Sequence, residues 1–480
     1  MKTFLFYDIE TTGLNTAFDQ ILTFAAIRTD LRLKEIERTS VVVQLRPDVV
    51  PSPGAFVTHR LSLASLMKGD GEYDAARRIH KLVNSPGTIS LGYNTLGFDD
   101  EFLRFTFYRN LLDPYSHQYA NGCSRMDILP LAVLYRLFAP LDIHWPEHNG
   151  KPSMKLELIS RDNALVTSGR AHDAMVDVEA TLALAQRLFV RREMWDYCRT
   201  FFNKAEEPTH MGRLEQQKIG QVGTFCLGIM VSLSFGAKRN YMAPVLGIGP
   251  SRVYGNQTLW LRLDSKGLPG GEGKADDPAT VFIIRKKKGE PPIVLPPLDR
   301  FWSRLSPEQQ TKAHGSMDAL ARHPEWFEGF IEYHKDYVYP VVPDLDADAS
   351  LYQDGFFSST EKKEMMAFHH LAPHRRMACV EKMKSPRIKL LAARILFRNY
   401  FNTEPSEVSL EKIGFDEKYY MERIRNVQGC PIKGFRNDTR YGVAQALKEI
   451  ADCLAGGDVK KFDDEQIALL KEIDRHIRAM

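Results

Sequence analysis

The sequence of 480 residues contains no hydrophobic run long enough to cross a membrane. Its longest apolar stretch, residues 222–233, has about twelve residues and includes glycine, threonine and serine, whereas a membrane-spanning helix needs roughly 20 apolar residues. The amino-terminal segment reaches Asp8 before the apolar core of a secretory signal peptide could form. We therefore expect no membrane association and a location in the cytoplasm.

Cysteine is scarce, and neither sign of charge is in large excess. The six cysteines lie far apart and form no C-x-x-C pair, which predicts reduced thiols instead of a disulfide framework. The 64 basic and 61 acidic residues give a net charge of +3. The basic residues are nevertheless clustered, because residues 361–398 contain ten Lys or Arg and three Glu, and residues 285–288 are all basic. Such clusters are typical either of a phosphate-binding surface or of a solvated helical face.

The remaining composition is that of an ordinary globular protein of several domains. Hydrophobic residues make up 44% and charged residues 26%, which excludes collagen-like and disordered classes. A length of 480 residues predicts about three domains. Strand and helix patterns alternate over residues 1–202, β-rich runs with glycine and proline fill 203–348, and helix formers dominate 349–480. We predict a mixed α/β protein with domain boundaries near 202 and 348.

The first domain has strand patterns joined by short links, followed by helices. Short links between the first three strands predict antiparallel pairing, because a parallel pair needs a long crossover connection. The predicted strands of this domain are residues 4–7, 21–28, 40–45 and 88–93. Its predicted helices are residues 72–83, 99–110, 128–138 and 174–191. In the second domain we predict strands at residues 225–235, 258–263 and 280–284.

The first strand ends in a D-x-E motif. Side chains two positions apart lie on the same face of a strand, so Asp8 and Glu10 point in one direction and repel each other. A cation between them would relieve this repulsion, and Mg²⁺ prefers carboxylate and phosphate oxygens. Because such triplets occur by chance in long proteins, this motif alone does not identify a metal site.

Two further motifs place acidic residues at the starts of predicted helices. Asn94 to Asp99 follows the fourth strand, with Asp99 at the beginning of a helix, where an N-cap role is the simpler explanation. His172 and Asp177 stand at the start of the last helix of the domain. Residues five apart on a helix diverge, so His172 can share a site with Asp177 only if it precedes the helix, which Asp173 permits as N-cap.

Taken together, the motifs D-x-E, N-x-x-x-F-D and H-x-x-x-x-D resemble those of the DEDDh 3′→5′ exonuclease superfamily, which has an RNase H-like sheet. Additional segments are similar to the bacterial exonuclease I family. They are residues 92–94, 98–101, 107–110, 113–115, 145–147 and 349–357.

This resemblance implies three domains: an RNase H-like exonuclease domain (1–202), an SH3-like β-barrel domain (203–348) and a helical C-terminal domain (349–480), which together enclose single-stranded DNA. The implied activity is processive 3′→5′ hydrolysis of single-stranded DNA to 5′-mononucleotides in DNA repair and recombination. The resemblance implies two Mg²⁺ ions, for which Mn²⁺ can substitute, and His172 as the base for the attacking water. The implied metal ligands are Asp8, Glu10, Asp99 and Asp177.

The expected partners are single-stranded DNA and the C-terminal tail of single-stranded DNA-binding protein, and the expected oligomeric state is a monomer. Lys155 departs from the family pattern, since members can carry Arg there, and lysine offers a point charge without a bidentate fork. Because all five catalytic candidates precede residue 180, a fragment ending near Lys204 is expected to contain the complete metal site. The predicted DNA contacts are Glu10, Thr11, Leu14, Phe98, Arg104, Tyr115, Tyr119 and Lys155.

Three alternatives remain open at this point. The first is a ribonuclease or proofreading exonuclease on the same fold, although about 280 residues beyond a minimal exonuclease domain favour a dedicated DNA clamp. A non-catalytic single-stranded nucleic-acid-binding protein is the second, yet none of the carboxylates is missing. The third is a zinc site, for which the spacing on a basic helix is only weak support. Its ligands would be His369, His370, His374 and Cys379.

Overall fold

The computed structural model describes residues 2–166, 172–269, 281–400, 410–425, 429, 431–455 and 462–480. The chain forms two compact units. The first contains residues 1–125, 168–179 and 341–480, and the second contains residues 126–167 and 180–340. The domain boundaries near 202 and 348 stay a prediction.

Helices occur throughout the described chain, and those predicted at 72–83, 99–110, 128–138 and 174–191 are confirmed within two residues. The helices are α1 (Pro53–His59), α2 (Leu63–Leu66), α3 (Glu72–Val83), α4 (Asp99–Arg109), α5 (Ile128–Phe138), α6 (Leu156–Asp162), α7 (Ala174–Phe189), α8 (Arg192–Thr200), α9 (Glu207–Gly212), α10 (Asp299–Trp302), α11 (Pro307–Arg322), α12 (Pro324–Asp336), α13 (Ser359–His370), α14 (Pro373–Glu381), α15 (Pro386–Tyr400), α16 (Glu417–Ile424), α17 (Val443–Ala455) and α18 (Asp464–Ala479).

The strands form a five-stranded mixed sheet, a six-stranded antiparallel sheet and a small hairpin. They are β1 (Thr3–Thr11), β2 (Ile21–Thr29), β3 (Glu35–Val42), β4 (Thr88–Leu91), β5 (Ser124–Arg125), β6 (Glu147–His148), β7 (Lys151–Pro152), β8 (Glu215–Ile219), β9 (Gly223–Val231), β10 (Met242–Pro250), β11 (Gln257–Arg262), β12 (Ile283–Lys287) and β13 (Ile293–Leu295).

The five-stranded sheet of the first unit has the order β3-β2-β1-β4-β5. β1 pairs antiparallel with β2, and β2 antiparallel with β3, which confirms the predicted pairing of the first three strands. β1 also pairs parallel with β4, so the first strand lies in the centre of the sheet. The third strand begins at Glu35 and not at residue 40, because its first half is exposed and lacks the apolar pattern from which strands are recognised.

The C-terminal helices of the first unit share one hydrophobic core with the segments around the sheet. Phe18, Phe56 and Tyr108 belong to the same buried cluster as Phe397 and Leu470. A fragment ending near Lys204 would therefore keep the catalytic candidates but would expose one side of this core to water.

Buried ion pairs join the same parts of the first unit and account for part of the basic cluster at 361–398. Arg398 is buried and donates to the carboxylates of Asp48 and Asp348. Arg394 forms a bidentate pair with Asp346, with N–O distances of 2.6 and 2.9 Å. Since these arginines neutralise internal carboxylates, they are not available to phosphates. Neither a phosphate-binding surface nor a solvated helical face describes Arg394 and Arg398.

The second unit contains the six-stranded antiparallel sheet, in the order β12-β11-β10-β9-β13 with β8 paired to β9. Helices α11 and α12 cover one of its faces through residues such as Leu320 and Phe327. The strands predicted at 225–235 and 258–263 correspond to β9 and β11. The strand predicted at 280–284 corresponds to β12, although residue 280 lies outside the described residues. Strands β8, β10 and β13 were not predicted.

The basic run at 285–288 belongs to the second unit, and at least two of its four side chains form contacts within that unit. Lys286 is buried, and its ammonium lies 2.9 Å from a carboxylate oxygen of Glu207. Arg285 donates to the carbonyl of His334 and stacks on the ring of Tyr337, 4.5 Å from its centroid. These two positive charges are used inside the unit.

The fold class is the predicted one: a mixed α/β protein with an RNase H-like sheet, a β-rich region and a helical C-terminal region. Among the described residues, no helix combines the length and the apolar character needed to cross a membrane.

Candidate active site

The central strand β1 supplies the first two acidic side chains of the site. Asp8 and Glu10 are half-buried, and Ile9 between them is buried on the other face of the strand. β2 and β4 hydrogen-bond to the two sides of β1, which fixes its backbone in the middle of the sheet. The strand period of two therefore places both carboxylates on one face, as the D-x-E motif predicts.

Asp99 is brought beside β1 by the segment that follows β4. A side-chain carbon at Gly92 would lie 2.4 Å from the carbonyl oxygen of Tyr7, so only glycine permits this close approach to β1. Asp99 is the first residue of α4, and its Oδ1 accepts a hydrogen bond of 3.2 Å from the backbone N–H of Ile9. The carboxylate thus lies next to the strand that carries Asp8 and Glu10.

The start of α7 supplies the fourth carboxylate. Asp173 accepts a hydrogen bond from the backbone N–H of Met175, 3.0 Å away, and the helix begins at Ala174. His172 precedes the helix in the left-handed region, with φ of 64°, which confirms the prediction that it lies on the lead-in. Its backbone N–H donates to Oδ2 of Asp177, at 3.2 Å. This contact ties the exposed histidine to the carboxylate of Asp177.

The structure brings the predicted ligands together. One carboxylate oxygen each from Asp8, Glu10 and Asp177 lies within 4.8 Å of the others. Burial raises the pKa of Asp8 well above its ordinary value, and repulsion from Asp99, Glu10 and Asp177 raises it further. Burial and the charges of Asp177 and Asp99 raise the pKa of Glu10 to about 9. Negative charge is therefore concentrated at one point of the sheet.

These donors fit a hard divalent cation. All of them are carboxylate oxygens, which Mg²⁺ and Mn²⁺ prefer and which soft metals with thiolate preference do not need. A cation at this point would cancel the mutual repulsion that raises the pKa values of Asp8 and Glu10. Asp8, Glu10, Asp99 and Asp177 could hold it.

Two site residues were not found from the sequence. Asp173 was interpreted only as an N-cap, yet its charge also raises the pKa values of Asp8 and Glu10. His59 at the end of α1 is buried, and burial together with the nearby charge of His172 lowers its pKa to about 4. No sequence motif marks His59, because it reaches the site through the tertiary fold.

Three predicted DNA contacts lie close to the carboxylates in the chain and differ in exposure. Thr11 is buried and its hydroxyl donates to the carbonyl of Gly13, at 2.7 Å. Leu14 is 83% exposed although it is a large apolar residue. Phe98 is half-buried and packs on Phe102, with ring centroids 4.8 Å apart. Of these three, Leu14 has the most surface available to a ligand.

The predicted contacts Tyr115 and Tyr119 line a cavity of about 350 Å³. The ring of Tyr115 meets that of Phe356 edge to face at 5.5 Å, and Phe356 is 83% exposed. Arg104 is buried, forms an ion pair with Asp100 and lies over the ring of Tyr115. Arg104 therefore contacts the ring of Tyr115 and helps to hold this ring at the cavity.

Lys155 belongs to the second unit, where its exposed ammonium lies 3.7 Å from a carboxylate oxygen of Glu157. Its predicted contact with DNA stays a prediction.

The zinc alternative is not supported by the described residues. Both ring nitrogens of His369 are used, at 2.6 Å from the hydroxyl of Tyr73 and 2.7 Å from the carbonyl of Leu111. His370 contacts the carbonyl of Met366. The group of possible metal ligands found in the described part of the chain is the one formed by Asp8, Glu10 and Asp177.

Known proteins are similar to this chain over nearly its whole length. The Exonuclease family model matches residues 5–185, and the model of the Exonuclease I C-terminal domain matches residues 345–409. The chain is 29% identical to exodeoxyribonuclease I of Escherichia coli strain K12 over 495 aligned residues, covering 98% of this chain and 97% of that protein.

Solved structures agree with this similarity. E. coli exonuclease I in complex with a dA16 oligonucleotide superposes with a TM-score of 0.80 at 26% identity, covering 100% of both chains. The zinc-ion-bound form of the E. coli exonuclease I complex with single-stranded DNA gives a TM-score of 0.79 at 25% identity, covering 100% of this chain and 99% of the other.

A central strand with two carboxylates, joined by acidic residues from two helix starts on an RNase H-like sheet, defines the class of metal-dependent exonucleases. Both family models match in the expected order along the chain, and the similarity extends over nearly the full length of a curated relative. The chain is similar to exodeoxyribonuclease I over nearly its whole length.

Proposed function

We propose that the protein is a processive 3′→5′ exodeoxyribonuclease that hydrolyses single-stranded DNA to 5′-mononucleotides and acts in DNA repair and recombination. The observation that carries this proposal is the carboxylate group that Asp8 and Glu10 on the central strand form with Asp177, with Asp99 hydrogen-bonded to that strand. Its full-length similarity to E. coli exonuclease I, whose structures contain DNA oligonucleotides, supports the choice of substrate.

The proposed cofactor is a pair of Mg²⁺ ions, which Mn²⁺ can replace, held by Asp8, Glu10, Asp99 and Asp177. When bound, such ions lower the pKa of water and neutralise the charge that develops on the phosphate and the leaving oxygen. His172 is proposed to accept the proton of the attacking water, since its imidazole is exposed and its backbone N–H is hydrogen-bonded to Asp177.

Exposed aromatic rings in the first unit support a proposed path for the DNA strand. Every base has a π-face, so exposed rings bind single strands without sequence preference. Tyr119 is 63% exposed and Phe356 83% exposed, and both border the same cavity. Leu14 is proposed to contact the terminal base, and Glu10, Thr11 and Phe98 the terminal nucleotide.

The proposed partners and location rest on the family resemblance. We propose a cytoplasmic monomer that binds the acidic C-terminal tail of single-stranded DNA-binding protein. Lys362, Lys363 and Arg375 on α13 and α14 are exposed and provide positive charge for such a contact. Residues 203–480 are proposed to confer processivity.

The repulsion in the carboxylate group predicts how metal binding depends on pH. The pKa of Glu10 is about 9 in the folded metal-free protein and near 4.5 when unfolded. The folded protein therefore retains a proton that the unfolded chain releases, and the free energy of unfolding falls as pH rises between these values. Mg²⁺ should raise the unfolding temperature more at about pH 8.5 than at about pH 5.5. Thermal unfolding of wild type and Glu10→Gln, each with EDTA or Mg²⁺, measures this difference, which should be smaller in the variant because one of the carboxyls with a raised pKa is gone.

The function itself is tested with end-labelled oligonucleotides of one sequence, as single-stranded DNA, duplex DNA and single-stranded RNA. With Mg²⁺, the expected result is release of 5′-mononucleotides from the 3′ end of single-stranded DNA. Excess unlabelled trap DNA added after binding tests processivity, because a processive enzyme completes the strand it holds. Preferential hydrolysis of RNA would identify a ribonuclease on this fold, and binding without hydrolysis would identify a non-catalytic binding protein.

A further inference from the structure

The loop that follows the metal-binding strand holds one exposed apolar side chain on an otherwise buried segment. We refer to residues 12–20 as the Leu14 loop. Thr12, Ala17 and Phe18 of this loop are buried, whereas Leu14 is 83% exposed. A large apolar residue kept in solvent four positions after Glu10 has no packing role, and its position relative to the carboxylates depends on how the loop is held.

Two buried arginines hold the second half of the Leu14 loop through its backbone carbonyls. Arg109 donates to the carbonyls of Ala17 and Asp19, each at 3.0 Å, and Arg46 donates to the carbonyl of Phe18. These arginines are themselves buried in ion pairs with Glu72, so this half of the loop has little freedom.

The half that carries Leu14 is held through Asn15. Asp19 accepts hydrogen bonds from the hydroxyl of Thr12 and the backbone N–H of Asn15, and a side chain on Gly13 would collide with this carboxylate. The amide oxygen of Asn15 accepts from two backbone N–H groups within the loop. Its Nδ2 is directed out of the loop and donates to Oδ2 of Asp438, at 2.6 Å.

Asp438 belongs to a short turn near the C-terminus, residues 433–439, which we call the C-terminal turn. A bridge between Lys433 and Thr439 closes this turn. The other oxygen of Asp438 accepts from the backbone N–H of Arg436, at 3.2 Å. One oxygen of Asp438 thus stabilises the C-terminal turn, and the other accepts the hydrogen bond from the Leu14 loop.

A second contact ties the same two segments together. Arg436 donates to Oε2 of Glu101, at 3.0 Å, and Glu101 stands two residues after Asp99 on α4. The same oxygen accepts from the hydroxyl of Thr16 in the Leu14 loop, at 3.4 Å, and Oε1 accepts from the hydroxyl of Tyr352. The C-terminal turn therefore contacts the Leu14 loop directly and through the helix that carries a proposed metal ligand.

We propose that Asp438 is a positioning residue, which holds Leu14 through Asn15 in the place where it meets the 3′ end of the substrate. This inference rests on the proposed function and deepens it, because it assigns to the C-terminal turn a part in engaging the DNA end. The bond between Asn15 and a charged carboxylate limits how far the loop can move.

The test uses a five-nucleotide single-stranded DNA substrate, with which contacts at the 3′ end make up most of the binding. Asp438→Ala should raise KM about tenfold and change kcat less than about twofold. A tenfold change equals about 1.4 kcal/mol, the size expected for a hydrogen bond to a charged group. Asp438→Asn keeps an acceptor for Asn15 and should restore most of the loss. Asp474→Ala, which removes a carboxylate paired with Arg478 within α18, is the matched control.

A double-mutant cycle separates positioning of Leu14 from general damage. Leu14→Ala should raise KM by itself, and Asp438→Ala should add little in that background, because both changes remove the same contact. Asn15→Asp keeps the oxygen used inside the loop but places a carboxylate against Asp438, and it should raise KM at least as much as Asp438→Ala. Unfolding temperatures of all variants show whether they fold.

A normal KM for both Asp438→Ala and Asn15→Asp would overturn the inference, as would fully additive effects of Asp438→Ala and Leu14→Ala. The dissociation constant of the same oligonucleotide in EDTA, measured by fluorescence anisotropy, gives the comparison without hydrolysis. A wild-type protein that binds but does not hydrolyse would refute the proposed function and leave the positioning of Leu14 measurable in this second readout.

Discussion

Replacing Asp8 by asparagine should abolish hydrolysis of single-stranded DNA while leaving its binding largely intact. Asp8 contributes an oxygen to the group within 4.8 Å that includes Glu10 and Asp177, and asparagine has nearly the same shape without the charge. Metal ions contribute several kcal/mol of transition-state stabilisation, so a lost ligand should lower kcat by roughly 10³- to 10⁴-fold. Release of labelled mononucleotides measures kcat, and anisotropy in EDTA measures binding.

Two comparison variants sharpen this result. Asp177→Asn removes a second member of the group and should be as inactive as Asp8→Asn. His172→Ala should lose roughly 10² to 10⁴ in rate, the usual contribution of a general base, and should keep a similar Mg²⁺ requirement. Asp474→Asn on α18 is the control for loss of a distant carboxylate. Near-normal turnover by folded Asp8→Asn or Asp177→Asn would refute the assignment of the metal site.

Replacing Arg398 by methionine should destabilise the protein by about 3–5 kcal/mol, a large part of the usual 5–15 kcal/mol. The guanidinium of Arg398 is buried between the carboxylates of Asp48 and Asp348. Without this guanidinium, less positive charge balances the buried carboxylates of Asp48 and Asp348 in a low-dielectric interior. Arg46 still pairs with Asp48, and Arg394 with Asp348. Urea unfolding near pH 7 measures the free energy of unfolding.

The same network predicts a response to acid. Burial alone would raise the pKa of Asp48. The positive charges of Arg398, Arg46 and Arg440 outweigh this effect and hold the pKa well below its ordinary value. A carboxyl with a lowered pKa stabilises the fold above its ordinary pKa, about 4, and this contribution falls as pH drops further. The free energy of unfolding of the wild type should therefore decrease below about pH 4. The decrease should be smaller in Arg398→Met.

Arg478→Met is the matched control, since Arg478 is 63% exposed and pairs only with Asp474 on its own helix among the described contacts. A surface pair of this kind contributes about 0–1 kcal/mol. If Arg398→Met were no less stable than Arg478→Met, the buried network would not hold the C-terminal helices to the rest of the first unit.

The sequence by itself determined the chemistry of the site and much of the local structure. Side chains alternate along a strand, so the D-x-E motif was sufficient to place Asp8 and Glu10 on one face of β1. The capping preference of Asp173 located the start of α7 and with it Asp177. These features depend on neighbours within a few residues, which is why local patterns report them. The N-cap interpretation of Asp99 was wrong, because Phe98 is the N-cap of α4 and the Asp99 carboxylate accepts from the backbone of β1.

Only the tertiary structure decided which charges face solvent and which are paired inside. A count of basic residues cannot distinguish Arg398, buried against Asp48, from an exposed lysine such as Lys362, because the partner lies 350 positions away. The contact of Asn15 with Asp438 spans 423 positions and leaves no local pattern either. Burial makes an unpaired charge costly, so the fold selects these distant pairs, and a sequence pattern does not contain the distances that define them.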